Sequence, residues 1–406
     1  MKILVVNAGS SSLKFQLFDV ENNYAVLAKG LCDNVGLSTS KLKYTKTGCE
    51  EVCISVEMKN HSVATQMMSD ALMGKVEGME ACIASMDEIS AVGHRVVQGG
   101  PYFSESVVVT DDVMEKLALC YDYAPLHTNA HIQGLKGCFE VMPGTPNVLV
   151  FDTAFHTTMP DYAKTYPIPY EMTKDMHIRR YGAHGTSHKY VAIEMCKILG
   201  KTEGTKIVTC HLGNGSSISA VKDGKVIDTS MGLTPLAGVE MGTRCGDIDP
   251  AIVPKMMETY NVGVEGINDF MNKKCGLLGV SGLSSDMREL IAEIQKGGEK
   301  ADRCQLAVNI LMYQIKKYIG SYAAALGGVD AIVFTAGIGE NNGMLRAGAL
   351  EGLEFLGVDL DKEVNAKTMG RNGVTKLSTD SSKVAVYMIP TNEEYMIAKD
   401  TYDLTK

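Results

Sequence analysis

The sequence predicts an α/β protein of two domains built on a repeated unit, and three observations carry that prediction. At 406 residues the chain exceeds what one ordinary core organises. A strand, a Gly/Ser-rich turn and a second strand occur at the start of the chain and again about two hundred residues later. No long linker or low-complexity tract interrupts the pattern, so the domains are joined by short crossings.

The elements follow in order. Ile3–Val6 is a continuous apolar run and reads as a buried strand, while Leu13–Phe18 alternates apolar with polar residues like a neighbouring one. The polar segment Asn7-Ala-Gly-Ser-Ser-Ser12 reads as the turn between them. Asp111–Tyr121 combines acidic residues in a first turn with apolar residues at helical spacing. Ser187 reads as the N-cap of a helix with Val191, Met195 and Ile198 on one face and Gly200 as its stop. Lys206–Cys210 and Ile218–Val221 repeat the strand pair around His211-Leu-Gly-Asn-Gly-Ser-Ser217, and Lys222-Asp-Gly-Lys225 is a hairpin turn. A helical pattern over Ala301–Leu326 stops at Gly327-Gly328, and the strand Ala331–Thr335 then runs into Ala336-Gly-Ile-Gly-Glu-Asn341. The crossings are expected near Val148–Phe151 and Ile389–Thr391, giving domains of 1–150 plus 391–406 and 151–390.

Composition removes several classes of function. A net charge of −9 argues against the broad basic surface of a nucleic-acid binder. No run approaches the roughly 18 apolar residues of a membrane helix. Met1–Val6 leads directly into Asn7 without the apolar core of a signal peptide. The 11 cysteines are scattered, with no Cys-x-x-Cys pair, and read as reduced thiols. A cytoplasmic location is expected.

The residues that carry chemistry are glycine turns and embedded charges. Backbone N–H groups in Gly/Ser turns converge on one point and suit phosphate oxygens, yet neither the Walker spacing nor a strand–GxGxxG arrangement occurs. Arg95 in Ala91-Val-Gly-His-Arg-Val-Val97, Asp152 after Val148–Phe151, and Arg244 in Met241-Gly-Thr-Arg244 sit beside apolar runs. Taken singly, each fits a structural ion pair; together, with several phosphate turns, they fit the transfer of an anionic group. His184 stands between glycines in Gly182-Ala-His-Gly185, where a ligand can approach closely, whereas His188 reads as a helix-start packing residue. Pro390-Thr-Asn-Glu-Glu394 places two carboxylates after a strand, either as helix N-terminal acidity or as magnesium ligands.

These segments resemble the acetate kinase family. The match runs through Asn7–Lys14, Gly93–Val97, Phe151–His156, Gly185–His188, His211–Ser217, Met241–Arg244, Asp247–Pro250, Phe334–Asn341 and Pro390–Glu394, in the family's order over essentially the whole chain. The resemblance implies the duplicated ribonuclease H-like fold of actin and sugar kinases, with an interdomain active-site cleft, and a homodimer. It implies ATP/ADP and Mg²⁺, with Mn²⁺ an alternative, and a small carboxylate and its acyl phosphate as the partners. By the same resemblance Asn7 and Glu393 hold the metal, and Lys14 with His211, Leu212, Gly213, Asn214 and Gly215 contacts the polyphosphate. Asp286, Met287 and Arg288, with Gly337, Ile338, Gly339, Glu340 and Asn341, line the nucleotide pocket. Arg95 pairs with the substrate carboxylate, Asp152 orients the reacting groups, and His184 and Arg244 stabilise the phosphoryl group in flight. A carboxylate is already an adequate nucleophile, so the expected reaction is direct in-line transfer, with domain closure excluding water.

The departures concentrate on the acyl wall, which by resemblance is Val97, Leu126, Ala183 and Pro235. The family's usual phenylalanine before the glycine-flanked histidine is Ala183 here; His127-Thr-Asn129 and Val97-Gln-Gly-Gly100 also differ from the pattern. Losing a ring opens space unless a neighbour such as Tyr181 or Met231 fills it. Acetate is the leading substrate, with a propionate- or butyrate-type kinase as the alternative. A nucleotide-dependent sensor without catalysis is the reading from another class.

Overall fold

The computed structural model describes residues 1–406, the side chains of Pro125 and Leu126 excepted. The chain divides into two compact units, Met1–Phe155 with Asn392–Lys406, and His156–Thr391.

Unit 1 is built on an eight-stranded sheet of order β5-β4-β3-β2-β1-β6-β8-β7. Its strands are β1 Lys2–Gly9, β2 Ser12–Asp19, β3 Ala25–Asp33, β4 Lys41–Lys46, β5 Val52–Ser55, β6 Ile89–Val96, β7 Val107–Val108 and β8 Asn147–Phe151. β1 to β5 form an antiparallel meander, while β6 and β8 continue parallel to β1. Alternation sends Leu4, Val6, Leu13, Phe15 and Leu17 to one face, against α1 His61–Leu72 and α2 Pro125–Val141. Ile3, Val5, Val148 and Val150 face the other side, where Ile397 and Ala398 of the returning helix Glu393–Thr405 pack on them. Gly93 is required there, because a Cβ would collide with Thr401 Oγ1 and Ile397 Cγ2.

Unit 2 repeats the plan. Its sheet runs β11-β10-β9-β12-β14-β13, from β9 Lys206–Leu212, β10 Ser216–Lys222, β11 Lys225–Thr229, β12 Ala331–Thr335, β13 Thr375–Lys376 and β14 Ala385–Met388. The order 11-10-9-12-14, antiparallel and then parallel, matches 3-2-1-6-8 in unit 1. That correspondence is the duplication the sequence predicts. The helix α3 Gly185–Leu199 ends at left-handed Gly200, and α4 Glu299–Leu326 ends at left-handed Gly327. Val208, Cys210, Ile332 and Phe334 form a core with Val308, Leu311, Ile315 and Ile319 of α4. Lys222-Asp-Gly-Lys225 is a two-residue hairpin with Asp223 and Gly224 at φ 53° and 73°.

Two local expectations are corrected. The first turn is shorter than Asn7–Ser12: Asn7, Ala8 and Gly9 pair with Lys14, Leu13 and Ser12, so only Ser10 and Ser11 turn. Ser187 is not an N-cap; α3 begins at Gly185 with His184 as its cap residue at φ 59°, and Ser187 is fully buried. As for the boundaries, Val148–Phe151 is a buried strand inside the sheet of unit 1, and the chain divides at 155/156 and, near the expected Ile389–Thr391, at 391/392.

Candidate active site

In unit 1 the parallel register does the positioning. Arg95 lies opposite Val150 and Val96 opposite Phe151, so Asp152 emerges beside Arg95, and its N–H donates to Val96 O at 2.8 Å. Arg95 Nε and Nη2 donate to Asp152 Oδ1 and Oδ2 at 3.2 and 2.6 Å, a bidentate pair, with Asp152 only 1% exposed. Glu393, in the first turn of the returning helix, brings Oε2 to 3.8 Å from Arg95 Nε. Burial opposes the Arg95 charge, but Asp152 and Glu393 hold it protonated more firmly than usual. Burial pushes the Glu393 carboxyl above its ordinary range, Arg95 pulling the other way and Asp152 adding to the rise. His131 accepts from the Val97 N–H at 3.2 Å; burial, reinforced by Arg95, pushes it down to about 3, so it is neutral at physiological pH. Asn7 and Lys14 are directly opposite each other on β1 and β2.

No cluster of three His, Cys, Asp or Glu capable of holding a metal occurs among the described residues. The donors on hand, the Asn7 amide and the Glu393 carboxylate, are hard oxygens and few. Such a set fits a divalent cation that keeps waters and shares phosphate oxygens, and a cation there would relieve the burial of Glu393.

In unit 2 the structure brings His184 and Arg244 together. A Cβ at Gly215 would sit 3.4 Å from Arg244 Nη1 and 3.5 Å from His184 Nε2, so both groups border the space above that glycine. Gly182 at φ 78° is essential to this placement, since a Cβ would strike Thr229 and the His156 ring. His184 Nδ1 lies 2.8 Å from Ser217 Oγ, which is also 2.7 Å from His188 Nε2, and His184 stacks on His211 at 4.1 Å. Burial, with His156 and His211 beside it, drives His188 far below its ordinary pKa, so it serves as a neutral buttress. Arg244 Nη1 donates to Pro235 O at 3.0 Å and has no carboxylate partner among the described residues. Its charge is therefore uncompensated by the protein, as a site for an incoming anion requires.

A cavity of about 670 Å³ in unit 2 is lined by Gly213, Asn214, Asp286, Met287, Arg288 and Gly337, with Ile338 and Asn341 also on its wall. The expected nucleotide residues separate here. The Leu212 side chain is in the hydrophobic core and Gly339 is buried. Glu340 Oε1 accepts from the Ala336 and Thr391 N–H groups at 2.9 and 3.0 Å, a structural tie. Beneath this turn Arg346, 0% exposed, donates to Gly339 O, Glu340 O, Asn365 O and Thr368 O.

Of the expected acyl wall, Ala183 forms a small buried apolar cluster with Met231 and Met241, and Met241 Sδ lies 3.9 Å from Arg244 Nη1. Val97 and Pro235 are half-buried, and the Leu126 side chain lies outside those described. Residues that sequence reasoning missed include Ser217, which joins two histidines, and Met241, which packs on Ala183. The one signal available for Ser217 was its place in a run of serines on a buried strand.

The family model that matches this chain is described as the acetokinase family and covers residues 2–399. The acetate kinase of Caldanaerobacter subterraneus subsp. tengcongensis is 56% identical over 407 residues, 100% of this chain and 99% of the relative. Among solved structures, Porphyromonas gingivalis acetate kinase superposes with a TM-score of 0.94 at 44% identity, covering 100% of both chains. A propionate kinase from Francisella tularensis superposes with a TM-score of 0.90 at 41% identity, covering 99% of each.

Proposed function

The chain belongs to the acetokinase family, and on that premise we propose that it transfers phosphate reversibly between ATP and acetate, giving acetyl phosphate and ADP. The observation that carries this reading is the pairing of the His184 imidazole and the Arg244 guanidinium at one space above Gly215, with no carboxylate on Arg244 among the described residues. Transfer between two anions is limited by charge repulsion and by placement. Fixed cations at the transferring group act on both.

Each residue then has a task. Arg95, braced by Asp152, presents a guanidinium to the substrate carboxylate, and the brace fixes its orientation. The neutral His131 beside it adds no competing charge. His184, oriented through Ser217, and Arg244 bear on the equatorial oxygens of the phosphoryl group. Asn7 and Glu393 would hold Mg²⁺, which when bound neutralises phosphate charge. The cavity lined by Asp286–Arg288, Gly337, Ile338 and Asn341 would take the nucleotide, and by family resemblance Lys14 would contact phosphate. A cytoplasmic, homodimeric enzyme is part of the same reading.

A longer acid is the second reading; Met231 and Met241 pack on Ala183 and fill the space left by the ring, so only the adaptability of that wall supports it. Methionine is unbranched and adaptable, so this wall yields where a ring would not. One methylene is worth only about 1–3 kcal/mol of discrimination. Hydroxamate detection of acyl phosphate with ATP, Mg²⁺ and C1 to C5 acids tests both readings, with Ala183→Phe alongside. Acetate preferred by the wild type upholds the first; propionate preferred, with acetate preference restored by Ala183→Phe, upholds the second. No acyl phosphate from any acid would overturn both.

A further inference from the structure

A cavity of about 380 Å³ in unit 1 has no assigned part in the transfer, although it touches two residues that do. The strand register explains its lining. Asn7 pairs with Lys14, Lys14 with Leu31, and Leu31 with Lys43, so these four form one row across β1 to β4. Val5, Gln16, Lys29 and Thr45 form the next row on the same face. The returning helix covers this face over β1, β6 and β8 and stops short of β3 and β4. The open part of the face is the cavity.

Three ammonium groups, Lys14, Lys29 and Lys43, therefore line one concavity, and none forms an ion pair among the described residues. Neighbouring strands are about 4.8 Å apart, which puts the backbones at Lys14 and Lys43 about 10 Å from each other, with Lys29 on the diagonal between them. An anion lying among the three would sit within a Debye length of each, about 8 Å at physiological salt, so its attraction to them is only partly screened. Glu394 lines the β1 end and Glu51 the β5 end, and these carboxylates limit the anion's length. The Gln16 amide and Thr45 hydroxyl add neutral donors.

We infer that this face is a second anion site, for a linear oligophosphate of two or three phosphoryl groups. Rotatable ammonium donors at these intervals suit successive tetrahedral phosphates, and lysine is an established phosphate-binding donor. Because Lys14 belongs to the site, an occupant competes with nucleotide phosphates for it. That consequence rests on the role of Lys14 proposed above; the binding itself does not.

Calorimetric titration of the metal-free, nucleotide-free protein with tripolyphosphate tests the site, using wild type, Lys29→Met, Lys43→Met and the double variant. Methionine keeps length and strand pairing while removing charge. The expected result is at least a tenfold weaker Kd for each single variant and no detectable heat for the double. Thermal midpoints should match wild type, and acyl phosphate formation without tripolyphosphate should stay within twofold of it. Inhibition competitive with ATP in the wild type should disappear in the double variant. Binding that survives the double substitution belongs to the nucleotide-phosphate residues and overturns the inference, as does a wild type that binds nothing. Citrate binding as tightly as tripolyphosphate overturns the assignment to phosphate. A wild type that binds as expected but forms no acyl phosphate refutes the proposed function and leaves this site standing.

Discussion

Glu240 offers a test of the buried electrostatics that needs no substrate. Its side chain is 2% exposed, its N–H donates to Gln314 Oε1, and neither carboxyl oxygen has a hydrogen-bond partner among the described residues. Burial alone pushes its pKa from 4.5 up to about 8. Between those values the unfolded chain has released the proton and the folded chain has kept it. Unfolding free energy therefore falls as pH rises, by about 1.4 kcal/mol per pH unit. The loss is about 3 kcal/mol by pH 7 and about 5 kcal/mol near pH 8. Glu240→Met fills similar volume and carries no proton, so its stability lacks this slope. Its advantage over wild type should widen by about 4 kcal/mol between pH 5 and pH 8, about 10 °C in midpoint for a unit of this size. Urea unfolding of both proteins at the two pH values measures it. A constant gap, or a variant less stable throughout, would show that the carboxylate has a charged partner and that the reasoning is wrong.

Other expectations follow from the site and its supports. Arg244→Lys keeps the charge but loses the planar fork; kcat for acyl phosphate formation should drop about 10²- to 10³-fold in steady-state assays. Asp152→Ala removes both acceptors of Arg95. Because Arg95 is about a fifth exposed and Glu393 stands near, the stability cost should be about 1–3 kcal/mol by urea unfolding, with a larger loss in kcat/KM. Gly93→Ala forces a methyl into Thr401 and Ile397 and should cost about 1–3 kcal/mol, seen as faster proteolysis at the returning helix.

Legibility followed the range of the signal. The Asp223-Gly224 hairpin and the stops at Gly200 and Gly327 were readable because φ > 0 is a local demand that glycine or aspartate announces. Arg95, Asp152 and Arg244 stood out as charges beside apolar runs, though nothing local showed that Asp152 would brace Arg95. Ser187 misled because a capping residue and a buried hydroxyl look alike until His211 and Thr391 arrive from distant segments to bond it. Asn7 to Gly9 looked like turn and proved to be strand, since their ladder partners decide the matter. Arg346 was invisible for the converse reason. Carbonyls of the preceding turn and of Asn365 and Thr368 satisfy a cation that the sequence alone presents as an ordinary helix residue.

The returning helix Glu393–Thr405 also bears on synthesis. It completes the sheet of unit 1 and carries Glu393, yet it leaves the ribosome after every residue of unit 2. Until then the nascent unit 1 presents Ile3, Val5, Val148 and Val150 bare to solvent, while unit 2 has its strands and α4 in hand. Each of those side chains forgoes about 1.5–3 kcal/mol of burial during that interval, which makes the face a natural holding point for a chaperone. The Arg95–Asp152 pair is synthesised before its third member, so Glu393 joins it only after unit 2 has been made.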